Sequence, residues 1–183
     1  MANNIIVLTK GDTFDFNITV YEDLYGVYYQ NALPNDKIVF RILHPHQSFY
    51  NTMGKDELSF EELCYTDADD NVKYYTYAEL AEYVKTKYNR DLALFSAHID
   101  IKDNDPNDEC IFYIEHEDTL HMAPGVYYYT VKLIREATAE YPKQVITIID
   151  KTKFVLNDWG TLNYGKWKIN KTHTTCPSKL WKW

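Results

Sequence analysis

The chain has 183 residues, a formal charge of −8 and 45% apolar residues. That length suits one domain with a core large enough to hold without disulfides. The negative charge argues against general binding to a phosphate backbone, which takes clustered Lys and Arg.

The aromatic share is high, with 17 Tyr, 8 Phe and 4 Trp. Such side chains favour pleated, half-buried surfaces and tilt the chain toward β structure. Tyr in this number also suits contact surfaces, since it offers a large area and a polar tip.

In chain order, Ile5 to Leu8 reads as a first short strand. Lys10-Gly11-Asp12 then turns the chain into Thr13 to Glu22, where Phe14, Phe16, Ile18 and Val20 alternate with Asp15, Asn17 and Thr19. A period of two with one apolar side describes a strand with one buried face. Leu24-Tyr25-Gly26 is a tight turn and Val27 to Gln30 its returning strand. After Pro34-Asn35-Asp36, Lys37 to Leu43 alternates again, with Ile38, Phe40 and Ile42 inward.

The rhythm breaks at His44-Pro45-His46, and the chain reads as an insertion from about 44 to 90. Its first part, Gln47 to Asn71, is polar and acidic. Thr76-Tyr77-Ala78-Glu79 is a capping box. Tyr77, Leu80, Ala81, Val84 and Tyr88 follow on one helical face, and Lys85, Lys87 and Arg90 gather where the helix dipole favours cations. The spacing predicts a helix over 77–89.

Strands resume near Leu92, with Ala97, Ile99 and Ile101 inward. Past the turn Asn104 to Asp108, Cys110, Phe112 and Ile114 form the next inward row. Val126 to Arg135 is a long strand with Tyr127, Tyr129, Val131 and Leu133 on one face. Gln144 to Asp150 and Lys153 to Leu156 read as two closing strands. About eight short strands at this spacing predict a β-sandwich over 1–156.

Residues 157–183 differ in character. They carry five Lys and one Asp, a charge of +4 that leaves −12 of the total −8 on the rest. They also carry Trp159, Trp167, Trp181 and Trp183 without clear periodicity. Large apolar residues on a tail call for a partner or the parent domain to cover them. Trp159, Trp167, Trp181, Trp183, Lys166 and Lys168 are therefore the candidate partner-binding residues, with copies of the same chain among the partners.

Cys64, Cys110 and Cys176 are far apart and lack metal or disulfide spacing. The start has no basic segment and no long apolar run, so neither a secretory signal nor a membrane span is expected. Synthesis in a reducing cytoplasm follows.

The chemistry-bearing motifs are weak. Asp67-Ala68-Asp69-Asp70-Asn71 begins like a calcium loop, but Val72 takes the glycine position and Ala78 the bidentate glutamate position. His44 and His46 form the one close His pair, and no third metal ligand is indicated. There is no nucleophile elbow, P-loop or dinucleotide fingerprint. The expectation is no catalytic residue, no metal and no cofactor. Tyr74, Tyr75 and Tyr77 form a candidate stacking platform for a glycan, as do Tyr28-Tyr29 and Tyr127-Tyr128-Tyr129, though alternate members of such runs also serve a core.

Thr9-Lys10-Gly11-Asp12-Thr13 and the alternation after it resemble the opening of an immunoglobulin-like domain of tailed-phage structural proteins. The N-terminal domain of phage baseplate upper proteins is the best-known example. Gly26-Val27-Tyr28, Asp36 to Phe40, Pro124 to Leu133, Val145 to Ile148 and Lys153 to Leu156 resemble its later elements in the same order.

The resemblance implies an immunoglobulin-like β-sandwich, here with a helix-containing insertion and an irregular C-terminal tail. It further implies a non-enzymatic virion protein, made in the host cytoplasm, that joins other virion proteins in tail, neck, baseplate or capsid. The alternative is a carbohydrate-binding module that attaches the particle to a cell surface. Neither nucleic acid nor membrane is an expected partner.

Overall fold

A computed structural model describes residues 5–18, 21–24, 27–30, 32–102, 110–140 and 142–158, with the backbone alone for 21–24 and 27–30. The fold is mostly β. Its main sheet has five strands: β1 (Ile6–Thr9), β5 (Lys37–Leu43), β10 (Phe95–Asp100), β12 (Gly125–Arg135) and β13 (Gln144–Asn157). Their spatial order is β1-β13-β12-β5-β10. β1 runs parallel to β13, and the other neighbours are antiparallel.

A two-stranded ladder, β2 (Phe14–Ile18) with β11 (Cys110–Ile114), lies over one face of this sheet. Alternation explains why. Ile18, Cys110, Phe112 and Ile114 are buried, with Phe14 and Phe16 partly so, while Asp15, Asn17 and Tyr113 face solvent. On the main sheet, Ile38, Phe40, Ile42, Tyr127, Tyr129, Val131, Leu133, Phe154 and Leu156 meet them.

Aromatic rings interlock across the gap. Phe40 lies 5.7 Å from Phe16, 5.6 Å from Phe112 and 5.5 Å from Tyr129, centroid to centroid. Offset and edge-on ring pairs at such distances add to the area they bury.

The turn before β2 depends on Gly11, whose φ of 84° suits glycine. Its N–H donates to the buried Thr119 hydroxyl at 2.9 Å. The turn before β5 is locked by Asp36, which accepts from the Leu33 N–H and pairs with Arg135 on β12 at 2.7 Å.

The hairpin predicted around residue 25 forms as β3 (Tyr21–Leu24) and β4 (Val27–Gln30), with Leu24 opposite Val27. Two predicted boundaries differ. The expected strand Thr13 to Glu22 is divided between β2 and β3, which pair with different partners. The two expected closing strands are one, β13, because Lys151 at φ 28° and the register shifts opposite β12 absorb the irregularity without ending the pairing.

From His44 to Leu94 the chain leaves the sheet, close to the expected insertion. It contains α1 (Phe60–Leu63), α2 (Tyr77–Tyr88) and four short strands. β6 (Thr52–Met53) pairs with β9 (Asp91–Leu92), and β7 (Cys64–Thr66) with β8 (Val72–Tyr74). α2 begins at Thr76, whose hydroxyl accepts from the Glu79 N–H while the Glu79 carboxylate accepts from the Thr76 N–H at 2.7 Å. It ends at Asn89 in the left-handed conformation. Leu80 and Val84 bury its apolar face against Met53, Leu58 and Leu92, a small core of its own.

Candidate functional site

The insertion crosses the outer face of the main sheet, opposite the aromatic core. Outward residues there are Val39, Arg41 and Leu43 on β5, Ser96 and His98 on β10, and Thr130 and Lys132 on β12. Arg41 is 2% exposed. Its guanidinium donates to the carbonyls of Phe49 (3.1 Å) and Thr52 (3.0 Å), pairs with Glu57 and lies 4.4 Å over the Phe49 ring.

Burial pushes the Arg41 pKa down to about 10; the Asp56 carboxylate opposes this and Arg90 adds to it. Arg90 donates to the Thr52 carbonyl and also faces Glu57 at 3.6 Å. Asp56 reaches His98 Nδ1 at 2.7 Å. The insertion is thus fastened to the sheet by charge.

Beside this fastening lies a cleft of about 540 Å³, within the usual range of small-ligand sites. Val39, Ile134 and Val145 of the sheet line it together with Lys37, Arg90, Glu57 and Glu136. Tyr50, 66% exposed, stands at its edge, and Lys132 Nζ lies 5.0 Å from its ring centroid. A flat ring beside donors and acceptors of both signs can stack on an apolar ligand face and bind its hydroxyls.

The second feature is the β7–β8 hairpin. Cys64 is buried, but Phe60, Tyr65, Val72, Tyr74 and Tyr75 are exposed. Phe60 and Tyr74 meet edge to face at 6.4 Å, and Tyr65 and Tyr75 lie 5.0 Å apart. The hairpin turn is closed by Asp67 Oδ1, which accepts from the N–H groups of Asp69 and Asn71. That is the solvated-turn role of such residues.

Its base is held to α2 through Glu62. That carboxylate accepts from Lys87 Nζ (2.7 Å), Tyr83 Oη (2.9 Å), Tyr88 Oη (2.5 Å) and the Ser59 N–H (2.8 Å). These donors, Lys87 first, hold Glu62 well below the usual carboxylate range.

Of the predicted stacking residues, Tyr74 and Tyr75 are exposed on this hairpin, on opposite faces of it, each beside one other ring. Tyr77 is not brought to it. Its ring packs between the two cores and stacks on His121 at 4.4 Å, and its hydroxyl donates to the Leu92 carbonyl. Burial raises its pKa to about 12. Tyr127 and Tyr129 face the main core. The side chains of Tyr28 and Tyr29, and all of Trp159, Trp167, Trp181, Trp183, Lys166 and Lys168, lie outside the described residues.

His44 and His46 stack on each other, 5.5 Å between centroids. No group of three or more potential ligands among the described residues is placed to hold a metal ion. No helix among them is long and apolar enough to cross a membrane.

Phe60 and Tyr65 were missed in the sequence. Their signal was present as two aromatics, four residues before and one residue after Cys64, within a stretch whose acidic character masked them. Tyr50 lacked any periodic context.

No protein-family model, curated protein or solved structure matches the chain.

Proposed function

We propose that the chain is a non-enzymatic bacteriophage virion structural protein. It would be an adaptor or decoration component of tail, neck, baseplate or capsid, and its aromatic hairpin would be a contact surface for a neighbouring protein. One observation carries this reading: Val72 and Tyr74, with Phe60 of α1 against Tyr74, stay exposed on one face of the β7–β8 hairpin and Tyr65 and Tyr75 on the other, and Glu62 pins this unit to α2.

Clustered apolar side chains exposed to water mark interaction sites. A pre-ordered aromatic surface also loses little entropy on docking. The motif order supports the virion assignment. The β2–β11 ladder over the five-stranded sheet supports the finer reading of an immunoglobulin-like sandwich.

The test is particle incorporation in the phage that encodes the chain. The parent protein should be found in purified virions, and a Tyr74→Ser, Tyr75→Ser double variant should fold but incorporate poorly. Absence of the parent from virions would refute the virion reading, and full incorporation of the variant would refute the hairpin's role.

A carbohydrate-binding module is the second reading, favoured by the 540 Å³ cleft with Tyr50 at its edge. Glycan-array binding lost on Tyr50→Ala would support it.

A further inference from the structure

The insertion covers only one side of the outer sheet face. On the other side, Val7 of β1, Val155 of β13 and Val126 of β12 are register partners, so they form one row across three strands. Their chain neighbours Ile6, Leu8, Phe154, Leu156 and Tyr127 are buried in the main core, which fixes the row on the opposite face. Val7 is 57% and Val126 50% exposed, and Ile5, one strand repeat earlier on the same side as Val7, is 41% exposed. β-branched side chains in a cross-strand row make an apolar surface suited to being covered.

We propose that residues 159–183 fold back on their own domain and cover this row with their tryptophans. β13 itself carries Val155 and leads into that segment within three residues. Asn157 is paired with Thr9 at the same end of the sheet, so the segment starts at most about 13 Å from the row at the rise of a strand. Tethering at this distance gives a high effective concentration for docking in cis.

The occupant also fits in kind. Residues 157–183 bring four large apolar rings and a charge of +4 to a body that carries −12. This inference stands apart from the proposed function, because it uses neither the hairpin nor the cleft.

All four tryptophans of the sequence lie in 159–183, so intrinsic tryptophan fluorescence of the full chain reports on that segment alone. Emission of the parent protein should be blue-shifted and poorly quenched by acrylamide. Val126→Asp and Val7→Asp should each shift it to the red and raise the quenching constant, with far-ultraviolet circular dichroism unchanged. Val126→Thr keeps the branched shape and strand preference of valine, so it tests the same point if an aspartate disturbs folding; it should give a smaller red shift.

Three outcomes would overturn the proposal. One is parent emission like that of a free indole in water. Another is unchanged emission in folded variants. The third is a red shift of the parent on dilution, which would make a second copy the occupant. Tyr74→Ser should leave the emission where it is; a shift there would move the segment to the hairpin and equally refute the valine row.

Discussion

The two faces of the main sheet are covered in opposite ways. On the inner face, the β2–β11 ladder is held by interlocked rings with Phe40 at their centre. On the outer face, the insertion is held by Arg41, Glu57, Arg90 and the Asp56–His98 pair, and its own apolar core is small. Apolar packing needs shape and tolerates no vacancy. A charged fastening needs partners, and removing one leaves the half-buried others short of compensation. The inner layer should therefore stand or fall with the whole fold, while the insertion can loosen separately.

Phe40→Ala tests the inner face and should have the largest effect. Phe40 is fully buried among four rings, so its loss should cost about 3–5 kcal/mol of unfolding free energy in a denaturant titration. Arg41→Ala tests the outer face. It takes one donor each from the Phe49 and Thr52 carbonyls and leaves Glu57 with Arg90 as its cation, at about 1–3 kcal/mol. Hydrogen exchange should quicken in residues 49–57 and 90–92 before it does in β12. Equal acceleration in both would contradict the separation of the two layers.

Gly54→Ala probes how closely the fastening is built. A methyl group there would overlap the Asp56 carboxylate and the Ser96 side chain, so about 1–3 kcal/mol is expected despite an ordinary backbone angle.

The smallest effect is the acid response of Glu62. Its folded-state pKa is depressed, so its contribution is present above the ordinary glutamate range. It is lost as the pH falls through the folded value. Glu62→Gln should flatten the acid limb of the stability curve and weaken the hairpin's attachment to α2, read as faster exchange than the parent in residues 60–66 at neutral pH, a difference that narrows as the pH falls.

Much of the frame was legible because its periods are local. The alternation of Phe14 and Phe16, of Ile38, Phe40 and Ile42, and of Tyr127, Tyr129 and Val131 marked the inner face, and Thr76 with Glu79 marked the start of α2 within a residue. What was illegible depends on distant partners. Nothing near Arg41 announces that Glu57 and the carbonyls of residues 49 and 52 will meet it, and an arginine between Phe40 and Ile42 looks like an ordinary outward residue. The two-residue strands β6 and β9 are too short for any period. Tyr77 shows the limit for the candidate site: its neighbours in sequence are Tyr74 and Tyr75, but the turn into α2 at Thr76 rotates it toward the core.

The parallel pairing of β1 with β13 has a consequence for how the protein is made. Ile6 meets Phe154, so the edge of the main sheet closes only when nearly the whole described chain has left the ribosome. Contacts at such separation fold slowly. In the interval, β5, β10 and β12 can already assemble, while β1 and the open flank of β12 wait as unpaired edges. Unpaired edges recruit strands from other chains. A chain truncated before Gln144 is therefore the form of this protein most exposed to mispairing, and its soluble yield should fall well below that of the full chain.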